Sequence, residues 1–200
     1  PRTLYVSPYG SGTPPYATWA TAARDIQPAI DEAEARDTVL VDDGSYGILN
    51  YGGTLVAGDT TPNRIAIAKP ITVKSVNGPE KTEVVGTYGP YLQMRCAYVG
   101  NGAQLSGFTL RDGQVAPVGS PWGYESGGGA WCEPDGLLSN CVVRGNMAPW
   151  YGGGVFGGVI VDSVISNNVG VSYGGGAVQS VLRNCMIAYN QTYGYGSGTF

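Results

Sequence analysis

The chain has 200 residues, 33 of them glycine, with 42% apolar residues, 13% charged residues and a net charge of −4. Glycine is more than double its usual share of about 7% and charge about half its usual share of about 25%, while so apolar a chain with so small a net charge does not have the composition of a disordered one. Three lysines without a basic cluster argue against nucleic acid and anionic membranes, and the absence of histidine excludes Ser-His-Asp, Cys-His and His-ligated metal chemistry.

Two hundred residues suit one domain or one solenoid. The start, "PRTLYVSPYGSG", holds a short strand at "TLYVS" and no signal-peptide core, and no apolar run is long enough to span a membrane. In "RDIQPAIDEAEARDTVLVDDGSY", Asp25 is placed to cap a short helix over 25–35, with Ile26, Ile30 and Ala33 on one apolar face and Pro28 in the first turn, where its missing donor is harmless. Strands are expected at "DTVLV", "ITVKSV" and "TEVVG". Residues 1–50 are therefore expected to form an N-terminal cap, 51–104 irregular first coils, and 105–200 regular repeats with an insertion at 114–126.

The repeats are explicit. In "LLSNCVVRGNMAPWYGGGVFGG", "IVDSVISNNVGVSYGGGAVQSV" and "LRNCMIAYNQTYGYGSGTF", Asn146, Asn168 and Asn190 coincide, as do Tyr151, Tyr173 and Tyr195. Leu138, Cys141 and Val143 recur as Ile160, Ser163 and Ile165, then as Leu182, Cys185 and Ile187; a looser copy at "LSGFTLRDGQ" places Leu105, Phe108 and Leu110 in the same slots. A period of about 22 also fits a leucine-rich repeat, but the second half of each unit offers Pro, Trp, Tyr and three glycines instead of helix-packing aliphatics. Two or three short strands per turn without a helix predict an all-β, right-handed parallel β-helix. In such a solenoid like residues stack into ladders. The glycines would serve sharp corners and close backbone approach, and the asparagines would be turn residues bonded to the neighbouring coil.

The stretch "YVSPYGSG...YATWATAARDIQPAIDEAEARDTVLVDDGSYGI" resembles the N-terminal cap of the pectate-lyase-like superfamily of right-handed parallel β-helices. The run "MRCAYVGNGAQLSGFTLRDGQ...GGGAWCE...LSNCVVRGN...YGGGVFGGVIVDSVISNN" resembles the Gly- and Cys-rich repeats of large bacterial secreted or surface β-helix proteins. The resemblance covers nearly the whole chain and implies the fold. It fixes no activity, because the same cap precedes lyases, hydrolases and non-catalytic adhesin-like chains.

Two functions follow from different residues. An enzyme would cleave polysaccharide on a lateral face, with Glu125 and Glu133 beside Trp122 and Trp131 as its acidic candidates, Asp112 and Asp135 nearby, and Arg144 or Arg111 as base; solvated loop charges are the plainer reading. A binding module would use Tyr151, Tyr173 and Tyr195 in a line, with Trp150 and Tyr193 close by, although a purely structural tyrosine ladder fits the same residues. Asn146, Asn168 and Asn190, and the slot of Cys141, Ser163 and Cys185, are expected as structural ladders. Cys141 and Cys185, two coils apart, should not be bonded to each other.

The sequence thus describes a secreted or surface-exposed structural, adhesive or carbohydrate-contacting module, with a polysaccharide lyase or glycosidase as the alternative. It calls for no cofactor and no metal. Its expected partner is a polysaccharide or a neighbouring protein subunit. The last unit, "NQTYGYGSGTF", lacks a cap, so the expectation is either a longer repeat chain, which the resemblance favours, or head-to-tail assembly of copies. The sequon at Asn190 falls on a ladder position.

Overall fold

The computed structural model describes residues 1–47, 52–57, 59, 61–87, 93–115 and 125–199. From Thr38 to Val178 each turn of the chain lays one strand on each of three parallel sheets. The first sheet has seven strands: Thr3–Val6, Thr38–Val41, Thr72–Ser75, Gln104–Ser106, Leu137–Ser139, Val159–Val161 and Val181–Arg183. The second has six, Gly44–Tyr46, Thr82–Val85, Thr109–Arg111, Val142–Arg144, Val164–Ser166 and Met186–Ala188. The third has five, Asn63–Ile67, Arg95–Val99, Ala130–Cys132, Val155–Phe156 and Ala177–Val178. A narrow fourth sheet joins Met147–Ala148, Val169–Gly170 and Gln191–Thr192 after the second. The architecture is a parallel β-helix.

Side chains alternate across each strand, so every coil sends one set of apolar residues inward. Leu105, Leu138, Ile160 and Leu182 align on the first sheet, and Leu110, Val143, Ile165 and Ile187 on the second. Phe108, Cys141 and Ser163 are buried at the corner between them. The Ser163 hydroxyl accepts from the Cys141 N–H at 3.1 Å and donates to Val161 O at 2.7 Å, so a polar residue fits an apolar slot without an orphaned group. All four cysteines are free thiols.

Coil length changes along the axis. Ser106 reaches Ser139 across 33 residues, whereas Cys141 reaches Ser163 across 22. In two of the longer coils the extra residues lie mostly where the second sheet hands over to the third, at 47–62 and 112–129, whereas the coil between them is lengthened by its strands and by 76–81. Two of the coils therefore carry their long connections at the same corner.

The triplet glycines have separate tasks. Gly152 and Gly174 adopt φ of +56°, open to glycine and strained for other residues. The third member faces the asparagines: a Cβ on Gly154 would lie 2.6 Å from Gly176 O and 2.9 Å from Asn168 Nδ2. The sequence expectation for the asparagines needs one correction. The ladder residues are not themselves the left-handed ones, because positive φ falls one residue earlier, on Gly145, Asn167 and Tyr189. The ladder side chains point inward and are buried. Asn168 Oδ1 accepts from both the N–H and Nδ2 of Asn146 at 3.0 Å, and Asn190 Oδ1 accepts from Asn168 N–H at 3.0 Å and Nδ2 at 2.9 Å. The second amide hydrogen of each goes to the preceding coil, at Leu110 O, Val143 O and Ile165 O.

The helix Ile26–Glu32 lies on the first coil, burying Ile26, Ala29 and Ile30, and Asp25 caps it by accepting from Ile26 N–H at 2.7 Å. It is shorter than the span 25–35 because Ala33 already adopts extended geometry. Lys69 Nζ closes the helix C-terminus by donating to Ile30 O, Asp31 O and Ala33 O. Gln27 covers the exposed edge of the third sheet, accepting from Ala66 N–H at 2.7 Å, which leaves that edge without a free donor there.

Candidate functional site

The three middle strands of the third sheet carry aromatic residues on their outer side, between Ala66 and Val178 on the end strands. Tyr98, Trp131 and Phe156 occupy one register position on three adjacent strands, opposite the inward Ala97, Ala130 and Val155. Trp131 and Phe156 have ring centroids 4.7 Å apart with planes tilted by 42°. Tyr151 comes within 6.1 Å of Phe156, and from there Tyr151 stacks on Tyr173 at 5.3 Å and Tyr173 on Tyr195 at 5.8 Å, with interplanar angles of 19° and 21°. The strip is continuous, with an aromatic residue from each successive coil.

Its two halves present different chemistry. Stacked tyrosines cover each other's faces, so Tyr173, between two neighbours, turns its edge and not its face outward. A phenol edge offers a hydroxyl that both donates and accepts. Trp131 and Phe156 are tilted against each other and half-buried, so both are partly accessible on the outer side of the sheet. Trp150 is 50% exposed beside the stack and Tyr193 is exposed, while Trp122 lies outside the described residues.

Arg95 holds this corner from beneath. It is fully buried, and its guanidinium lies 5.6 Å from the Trp131 ring centroid. Nη1 donates to Asp59 Oδ2 at 2.6 Å and Asn63 Oδ1 at 2.7 Å, Nε to Gly127 O at 2.9 Å, and Nη2 to Ser126 O at 3.1 Å. One cation thus ties the loop at 47–62 to the loop at 112–129 under the tryptophan. Burial lowers its pKa and the Asp59 carboxylate opposes that shift. Removal of either partner would strand a buried charge.

The acidic and basic candidates do not converge. Arg111 and Arg144 lie side by side on the outer face of the second sheet, bridged by Glu83: Oε2 accepts from Arg111 Nε at 3.0 Å and Nη2 at 2.9 Å, and Oε1 lies 3.4 Å from Arg144 Nη2. Asp112 pairs with Arg111. The hydrogen bond from Arg111 lowers the Glu83 pKa, so this carboxylate is a charge clamp. Glu133 is on the third-sheet side, accepting from Tyr98 OH at 3.0 Å. Asp135 sits in the next turn, its N–H donating to Asn101 Oδ1, and Glu125 is buried with its carbonyl accepting from Trp150 N–H. Among the described residues no group of three or more His, Cys, Asp or Glu is arranged to hold a metal ion.

No family profile matches the chain, and no curated protein matches it. Among solved structures, a pectin methylesterase mutant in complex with a hexasaccharide has a TM-score of 0.53 and 14% identity, covering 99% of this chain. The fold is a right-handed parallel β-helix like that of pectin methylesterase. The chain spans 58% of that protein's length. At this identity the likeness carries the fold alone.

Two parts of the site escape a reading by repeats. Phe156 and Tyr98 stand outside the asparagine and tyrosine ladders, although "GGGAWC" and "GGGVFG" place Trp131 and Phe156 at the same distance after a glycine triplet. Arg95 has no sequence signature, because its partners come from loops far away in the chain.

Proposed function

We propose that this protein is a carbohydrate-contacting β-helix module of a secreted or surface-exposed protein, binding glycan on its aromatic strip. The observation that carries the reading is the unbroken run from Trp131 through Phe156 and Tyr151 to Tyr195, which combines tilted, half-buried rings with stacked phenols along one side of the solenoid. Sugar rings have apolar faces and hydroxyl rims, and such a surface answers both. A structure of the same fold with an oligosaccharide bound supports the ligand class.

Catalysis is the second reading, favoured by the likeness to a carbohydrate-active esterase fold. It has less behind it, since Arg111 and Arg144 are bound to Glu83 on one face while Glu133 lies on another. Incubation with neutral and uronate polysaccharides separates the two. Retardation in polysaccharide gels without new reducing ends, unsaturated products or released methanol is expected of the module. Turnover of any of these polysaccharides would replace it with the enzyme.

A further inference from the structure

The charge of the molecule is zoned around the axis. After Gly136 the sequence has three charged residues, Arg144, Asp162 and Arg183. Arg144 is on the second sheet, Arg183 on the first, and Asp162 at the corner between them, bonded to Asn184. None lies on the third sheet or the tyrosine stack. The charges nearer the strip's other end are unavailable as cationic ligands: Arg95 is buried on Asp59, and Arg64 is buried with Nε on Val85 O, Nη1 on Gly52 O and Nη2 on Thr87 Oγ1. Glu133, bonded to Tyr98, adds a carboxylate there. The stretches 48–51, 88–92 and 116–124 contain no charged residue in the sequence.

On the basis of the glycan reading above, we propose that the strip selects an uncharged, extended polysaccharide lying along the solenoid axis, and discriminates against polyuronates. The direction follows from the repeat: coils are spaced about 4.8 Å apart, close to the span of one pyranose unit in an extended chain, so successive sugars meet equivalent groups. From Tyr98 to Tyr195 the strip crosses five coils, roughly 20 Å. The preference follows from charge. A polyuronate brings one carboxylate per sugar to a surface with no exposed cation among the described residues and with Glu133 at one end, so its desolvation has no compensating partner. Stacking and hydroxyl bonds to a neutral sugar lose nothing of this kind, and they are not screened by salt.

The test is affinity electrophoresis of the intact chain through galactomannan, xyloglucan and mixed-linkage β-glucan against polygalacturonate and alginate, each at low and high salt. Retention by at least one neutral polymer, about tenfold or more tighter than by either polyuronate and unchanged by salt, is the expected result. Tyr195→Ala, at an exposed end of the stack, and Trp131→Ala, checked for folding by circular dichroism, should each weaken it. Retention by polyuronate that equals or exceeds that by neutral polymers and fades with salt would overturn the charge preference while leaving glycan binding intact. Retention by none of the polymers would overturn the glycan reading itself. Neutral-glycan binding unchanged in both variants would place the site elsewhere and overturn the inference.

Discussion

The Sγ of Cys96 lies 3.5 Å from the Oδ1 of Asn146, where the asparagine ladder ends. Gly113 holds the ladder position in the coil before, and its N–H donates to Asn146 Oδ1 at 2.8 Å as Asn146 N–H does to Asn168. A glycine has no side-chain amide to supply the second donor, and a Cβ at 113 would lie 2.1 Å from Gly128 O. The thiol of the facing strand sits at that place, with Arg111 O at 3.2 Å and Asn146 Oδ1 at 3.5 Å as two acceptors for its single hydrogen. Cys96→Ala should lower stability by about 1 to 2 kcal/mol, and Cys96→Ser, which keeps a donor, by less. Denaturant midpoints of the two variants would show it; equal losses would mean the thiol only fills space.

Burial pushes the Cys96 thiol up to about 12 and that of Cys141 up to about 11, and raises Cys132 as well. Thiolate is the reactive form, so at mildly alkaline pH these three should resist alkylation until the chain unfolds. Cys185, half-exposed, should label first. Mass spectrometry of the native protein after brief alkylation checks the order, and early labelling of Cys96 would contradict its place in the ladder.

Asn168→Ala should destabilise more than Asn190→Ala. The first strands two donors of Asn146 and the carbonyl of Val143 in the fully buried interior, and also removes a donor from Asn190. Each stranded group costs about 1 to 3 kcal/mol. The second strands a similar set, but at a position that retains some solvent contact. Thermal midpoints in the order wild type, Asn190→Ala, Asn168→Ala are expected.

The glycines divide by what an added methyl would meet. Gly154→Ala drives a Cβ against Gly176 O and Asn168 Nδ2 and should cost about 3 kcal/mol, because backbone on the neighbouring coil cannot move aside. Gly78 has a φ of +86° but open space around it, so Gly78→Ala should cost only the left-handed backbone term, about 1 kcal/mol. Comparable losses at the two sites would contradict close coil stacking as the reason for the triplets.

Acid should loosen the N-terminal coil first. The Arg2 backbone N–H, at 2.6 Å, and that of Glu34, at 2.9 Å, with the Arg2 guanidinium, hold the Asp37 carboxyl down at about 2. Its unfolded value is near 3.9. A depressed carboxylate contributes stability that is complete above the unfolded value and is lost as pH falls through the folded one, so the window is from about pH 4 to pH 2. Asp37→Asn should lower the melting temperature at neutral pH and flatten its decline across that window. An unaltered acid limb would assign the acid sensitivity to other carboxylates.

The repeat register was legible because ladders force like residues into like slots: Leu138, Ile160 and Leu182 align in the sequence as they do in the sheet. The helix was legible from its cap and apolar face. The left-handed position was misplaced by one residue because both Asn167 and Asn168 fit a turn, and only the backbone shows which one bends and which one points inward. The tyrosine line was readable from period alone. Its ring geometry was not, since spacing cannot tell a row of open faces from a stack. Arg95 and its loops depend on contacts that no local pattern records.

The measurement that bears most directly on the central claim is a crystal structure of the chain with a neutral oligosaccharide bound at the affinity seen in solution. Sugar rings are expected along the axis against Trp131, Phe156 and the edges of Tyr151 and Tyr173, with the Arg95 network undisturbed. A ligand seated instead on the second sheet at Glu83, Arg111 and Arg144 would contradict it.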